Sequence, residues 1–129
     1  MSENFTVEII SPDRSVIKIE TNEVVIPSYE GEMGILKDHI PIISFLKPGI
    51  IKIKSKSVED SYYVEDGIIE FKDNNLTVLT SSIFNLKNME RNKIQELLKI
   101  AEEETNNTEI SDQAKYLTEQ KINVLRSIN

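Results

Sequence analysis

The chain has a single histidine, His39, in the stretch Leu36-Lys37-Asp38-His39-Ile40-Pro41. It is the natural first candidate for acid–base chemistry. A general base needs an orienting acid and a nucleophile within reach, and neighbouring Asp38 points elsewhere on an extended chain. Catalytic sites gather several convergent groups, so a loop histidine bonded to backbone, or set at an interface, outweighs a catalytic one. Glu30-Gly31-Glu32-Met33-Gly34 offers a pair of carboxylates, the equipment of glycoside hydrolysis. Carboxylates two residues apart on an extended segment do not span a sugar ring, and the chain has no tryptophan platform. Its two glycines permit φ > 0 and close backbone approach, which suits a solvated turn or an interface loop. Lys52, Lys54 and Lys56 alternate with Ile51, Ile53 and Ser55, the pattern of the wet side of a strand. Glu102-Glu103-Glu104 reads as a solvated helix end, with carboxylates opposing the macrodipole and the adjoining loop weakly held. No glycine-rich phosphate loop, nucleophile elbow or metal-spaced cluster is present, and no catalytic or metal-binding residue is assigned.

Composition narrows the classes further. The 129 residues carry 15 Lys+Arg against 22 Asp+Glu, a formal charge of −7. Up to Lys87 there are 9 basic and 14 acidic side chains, and beyond it 6 and 8. Neither part has the basic excess that phosphate backbones demand, so nucleic acid is not an expected partner. The absence of cysteine excludes disulfides, a thiolate nucleophile and Cys-ligated zinc. One histidine falls short of the paired ligands that most transition-metal sites use. Met1-Ser2-Glu3-Asn4 has an acid where a presequence would place Arg or Lys. The greasiest stretch, Ile40 to Leu46, is interrupted by Pro41 and Ser44 and is far below the roughly 20 residues of a bilayer span. A soluble chain is expected, reaching a membrane only through a partner.

These residues must be positioned by two kinds of element. Up to Lys87 the period is two: Val7 and Ile9, then the turn Ser11-Pro12-Asp13-Arg14, then Ile17 and Ile19. Val24 to Ile26 closes at Pro27, and a glycine-bearing loop leads to Ile42–Leu46, then Ile50–Lys54. Tyr62–Val64, Ile68–Phe71 and Leu76–Leu79 complete the set. Many short β-branched runs separated by turn residues predict an antiparallel β-sandwich or flattened barrel over 1–87. From Asn88 the period becomes helical, with Ile94, Leu97, Leu98 and Ala101 on one stripe. Thr105-Asn106-Asn107-Thr108 breaks the pattern, and Ser111 is a good N-cap for a second helix, followed by Asp112. That helix turns Ala114, Leu117, Val124, Leu125 and Ile128 to one side. An antiparallel α-helical hairpin over 88–129 is predicted, with stripes too narrow to anchor it firmly elsewhere.

Several of these stretches together resemble the epsilon subunit of F-type ATP synthases. Ile26-Pro27, then Glu30-Gly31-Glu32-Met33-Gly34-Ile35-Leu36, then His39-Ile40-Pro41 and Leu46-Lys47-Pro48-Gly49 follow that family's pattern in outline. Val64-Glu65-Asp66-Gly67-Ile68-Ile69-Glu70 and Asn75-Leu76-Thr77-Val78-Leu79 continue it, and the likeness extends over the switch from strands to helices. It implies a non-catalytic central-stalk subunit whose sandwich grips the gamma subunit and touches the ring of c subunits. Such a subunit turns with the rotor and couples proton flow to ATP synthesis. It implies that Glu30, Gly31, Glu32 and Met33 face the polar loops of the c ring. His39, Ile42 and Ile43 follow in the neighbouring contact region. It also implies a place on the cytoplasmic face of a bacterial inner membrane, reached through the c ring.

In that family the helical hairpin inhibits ATP hydrolysis when extended, and in some bacterial members it binds ATP when folded. The corresponding nucleotide contacts here are Glu90, Lys93 and Arg126. Met89-Glu90-Arg91-Asn92-Lys93-Ile94 departs from the family motif. Glu replaces Asp, Lys lacks arginine's fork, and Ile94 crowds a place held by Ala. These departures argue against ATP as a cofactor. With only Lys115, Lys121 and Arg126 basic on the second helix, attraction to the alpha and beta subunits is expected to be modest and inhibition weak. Two other readings remain open: an ATP-responsive switch acting mainly through the hairpin, and a stand-alone sandwich module or hydrolase built on His39 and the Glu30/Glu32 pair.

Overall fold

The computed structural model describes residues 3–56, 58–107 and 109–128. Met1, Ser2, Ser57, Thr108 and Asn129 lie outside them, and with them the first residues of the presequence reading and one residue of the expected polar break. The strands are β1 (Phe5–Ser11), β2 (Arg14–Thr21), β3 (Glu23–Ser28), β4 (Gly31–Leu36), β5 (Ile42–Leu46) and β6 (Gly49–Ser55). They continue with β7 (Val58–Val64), β8 (Gly67–Lys72), β9 (Asn75–Leu79) and β10 (Ile83–Asn85), followed by α1 (Arg91–Thr105) and α2 (Asp112–Ser127).

The predicted β domain followed by a helical hairpin is the fold observed. The strands form one 10-stranded curled sheet in the order β10-β7-β6-β3-β5-β8-β9-β1-β2, with β4 paired to β3. Period-two alternation decides which face each strand buries. In β1, Phe5, Val7 and Ile9 are buried while Thr6, Glu8 and Ile10 lie half-exposed between them. Ile26, Ile51, Ile53, Ile69 and Phe71 join them in a continuous core. Burying a side chain of this size is worth about 1.5–3 kcal/mol, so this cluster is the source of the sheet's stability.

Three local expectations are corrected. The sheet is not wholly antiparallel, because β1 pairs in parallel with β9. The two strands are remote in sequence, so their parallel pairing needs no tight turn. The strand expected to close at Pro27 runs on to Ser28, with Pro27 opposite Glu32. The Pro27 carbonyl accepts from the Lys47 N–H at 3.0 Å, so the residue keeps a backbone bond although its ring nitrogen has no hydrogen to donate. Most of the glycine-bearing loop is strand β4: Gly34 faces Val25 in register, and only Tyr29 and Glu30 separate the paired strands. Of the two glycines there, Gly31 is the one at positive φ (119°), where the hairpin turns.

The helices form the expected hairpin. Ser111 caps α2, its side-chain oxygen accepting from the Ala114 N–H at 3.1 Å, and Asp112 sits in the first turn. The buried stripe of α2 runs through Thr118, Ile122 and Leu125, so Thr118 and Ile122 replace part of the predicted set. The Thr118 hydroxyl donates to the Ala114 carbonyl at 2.8 Å, which lets a polar residue sit in the seam. Of the three glutamates ending α1, Glu104 is engaged, 3.9 Å from the Lys121 ammonium across the hairpin. Among the described residues no helix is long and apolar enough to cross a membrane.

Candidate interaction surface

The β3–β4 hairpin forms a projecting tip. The Ser28 hydroxyl donates to the Gly31 carbonyl at 2.7 Å across the turn, and the Tyr29 N–H donates to the Phe45 carbonyl at 3.4 Å. Glu30 and Glu32 are exposed, as is Tyr29. Met33 packs partly against the core, so of Glu30, Gly31, Glu32 and Met33 it is the two carboxylates that point outward.

His39 lies at the other end of β4. The strand spans six residues, about 20 Å at a strand's rise, so the structure separates His39 from the tip. The Asp38 N–H donates to the Asn74 side-chain oxygen at 2.7 Å, and the Asn74 amide donates back to the Asp38 carboxylate at 3.0 Å. Both residues take the left-handed conformation, with φ of 66° and 58°. Asp38 is thereby committed to clamping two turns together and does not orient the imidazole. The His39 ring contacts Phe71 at 5.9 Å between centroids, and its Nδ1 lies 2.7 Å from the Ile40 carbonyl. A carbonyl only accepts, so Nδ1 carries the proton. Ile42 turns inward against the core while Ile43 is 64% exposed.

Ile43 is the margin of a larger feature that sequence reasoning missed. On the outer face Phe45 lies opposite Ile68, Ile68 opposite Leu79, and Leu79 opposite Ile10. This row crosses β5, β8, β9 and β1 at the end of the sheet nearest the tip, and Phe45 is 62% exposed. With Pro12 and Gly67 it lines an open cleft of about 520 Å³. Gly67 makes the close fit possible: it has φ 151°, and a Cβ there would meet the Leu79 carbonyl at 2.6 Å. The Asp66 carboxylate anchors the margin by accepting from the Ser81 N–H at 3.1 Å and its hydroxyl at 2.7 Å. The next row, Ile43, Glu70, Thr77 and Glu8, adds carboxylates along one side. The available signal was β5 itself, where Ile43 and Phe45 are apolar on the face opposite Ile42 and Leu46.

The residues assigned by resemblance to nucleotide do not converge. Glu90 and Lys93 line a cleft of about 590 Å³ with Arg14, Tyr62 and Phe84, whereas Arg126 lines a separate groove with Glu102, Glu119 and Asn123. Near the first cleft, burial and the Glu65 carboxylate raise the Tyr63 phenol well above its ordinary range, and burial followed by Asp60 raises Tyr62. Lys87 is raised by its hydrogen bond to Asp60, 2.7 Å away. Among the described residues no group of three His, Cys, Asp or Glu could hold a metal ion, and no buried side-chain polar atom lacks a partner.

Residues 4–86 match the family model described as the ATP synthase delta/epsilon chain beta-sandwich domain. Over the full length of both chains the sequence is 65% identical to the ATP synthase epsilon chain of Pelagibacter ubique. The chain belongs to the ATP synthase epsilon family. The epsilon chain of Allorhizobium ampelinum is 32% identical over 100% of this chain and 96% of its own. Among solved structures, a chain of the Euglena gracilis mitochondrial ATP synthase (OSCP/F1/c-ring) superposes with a TM-score of 0.76. It is 19% identical and matches over 98% of this chain and 79% of its own length. A chain of the Tetrahymena thermophila mitochondrial ATP synthase central stalk and c-ring gives 0.64 at 15% identity, covering 94% and 92%. Both likenesses are of fold, and both extend past the strands into the helices.

Proposed function

We propose that this chain is a non-catalytic rotor subunit of the ATP synthase central stalk, coupling proton-driven rotation of the c ring to ATP synthesis. The observation that carries this reading is the outer row of half-exposed Ile10 and Ile68 with exposed Phe45 and Leu79, lying beside the acidic tip at Glu30 and Glu32. Apolar surface of this kind, rimmed by charge, marks a protein contact. The row suits the gamma subunit, and the tip suits basic side chains on the c-ring loops, where charge pairing supplies register and orientation more than affinity. His39, at the far end of β4, holds a turn and stands apart from that contact. In this reading residues 1–87 grip the rotor and 88–129 form a separately movable hairpin with weak influence on ATP hydrolysis. The complex holds the chain on the cytoplasmic face of the bacterial inner membrane.

The alternative, an ATP-responsive switch, draws no support from the separate clefts of Lys93 and Arg126. Co-expression with the gamma subunit and gentle purification tests the main reading: a stable complex is expected, and its absence would overturn it. Titration with millimolar ATP, giving neither heat nor thermal shift, is the expected companion result.

A further inference from the structure

The chain between sheet and hairpin is pinned on one side and loose on the other. Lys87 binds Asp60 at 2.7 Å and the Leu86 N–H donates to the Ser61 carbonyl at 3.0 Å, so the chain is held to β7 up to residue 87. Asn88, Met89 and Glu90 then lead into α1, whose N-cap Glu90 makes no side-chain capping bond and whose first turn holds no acid. The start of the helix is thus weakly closed. Beside it a stack of three side chains reaches from helix to sheet. The Lys93 ammonium lies 5.6 Å above the centre of the Phe84 ring, and Phe84 stacks on Tyr63 at 6.2 Å and 30°. Tyr63 is fully buried on the face away from the core, its hydroxyl donating to Glu65 at 2.9 Å. Elsewhere the main contact of the hairpin with the strands is α2 on β6.

We propose that Lys93 and Phe84 form a latch that sets how often the helical hairpin leaves the sheet, with Asn88–Glu90 as the hinge. The inference rests on the reading that the hairpin is a separately movable unit. It assigns Lys93 an intramolecular aromatic partner. Departure of α1 breaks one cation–π contact and uncovers Phe84, while Lys87 holds the chain behind it in place. A contact of this exposed type is worth a small free energy, so its loss shifts the docked-to-detached ratio about two- to fivefold. The neighbouring Glu96 competes for the same ammonium at 3.5 Å within the helix.

The chain has no cysteine, so cysteines introduced at exposed Glu59 and Glu119 can carry a donor and acceptor dye without background. Single-molecule distance distributions on the full chain then count docked and detached hairpins. Lys93→Ala and Phe84→Leu are expected to raise the detached-to-docked ratio about two- to fivefold. Lys93→Arg, which keeps a cation over the ring, is expected to restore it, and Glu96→Gln is expected to leave it unchanged or favour docking. Helical circular dichroism checks that α1 persists in each variant. Two populations whose ratio ignores Lys93, or a Glu96→Gln effect equal to that of Lys93→Ala, would overturn the latch alone. A single docked population in every variant would overturn the movable hairpin, and the latch with it.

Discussion

The sheet and the hairpin bury their side chains on very different scales. Inside the sheet Val7, Ile9, Val24, Ile26, Ile69 and Val78 are completely shielded within one cluster shared by strands remote in sequence. In the hairpin the buried set is Ala101, Thr118, Ile122 and Leu125, with a hydroxyl in the seam. Helices of this length are marginal by themselves, so the hairpin persists through that narrow stripe and its few contacts with the sheet. Local stability follows buried contact, so the sheet should be the last part of the chain to open and the hairpin the first.

Substitutions can break this contrast from either side. Phe71→Ala removes a buried ring that packs on Phe5 at 5.5 Å and under His39, and is expected to cost about 3–5 kcal/mol. Urea denaturation should show strands and helices lost together. Leu125→Ala, in the seam of the hairpin, is expected to cost about 2–3 kcal/mol, toward the low end because two helices can close the gap more easily than a sheet. Its signature is loss of helical circular dichroism and hydrogen-exchange protection in α1 and α2 while the strand amides stay protected. Ser111→Ala removes the α2 cap and is expected to cost about 1 kcal/mol, again confined to the helices.

The smallest effect is a pH dependence. In the folded chain the Tyr63 and Tyr62 phenols are raised, chiefly by burial, so the folded state holds their protons more tightly than the unfolded one. The stability they contribute is present below the ordinary tyrosine value of about 10 and is lost as pH rises beyond it. Stability measured from pH 8 to 11 should fall along that limb, and Tyr63→Phe should flatten it.

Much of the fold could be read from alternation, because a strand with one buried face writes its period into the sequence. The same logic located the change to helix and the cap at Ser111. It failed at β4, where glycines at 31 and 34 suggest a loop but cross-strand pairing with β3 decides the conformation. In α2, Thr118 was passed over because a hydroxyl looks polar until it bonds its own helix. The acidic tip was legible in residue types alone. The apolar row was not, since Ile10, Phe45, Ile68 and Leu79 become neighbours only through the register of four strands. The isolation of His39 likewise depends on Asp38 being held by Asn74, a contact between distant turns.

In the function proposed, the outer row of the sheet, and not the hairpin, carries the grip on the rotor. The most direct test is the affinity of the full chain for purified gamma subunit, compared with a Phe45→Ser/Leu79→Ser variant and a truncation ending at Lys87. Both substituted side chains are exposed, so folding stability should change by less than about 0.5 kcal/mol each. The double variant is expected to bind at least about 30-fold more weakly, as befits interface anchors worth about 2 kcal/mol or more. The truncation should keep its affinity. Undiminished binding by the double variant, or loss of binding on removing the hairpin alone, would contradict it.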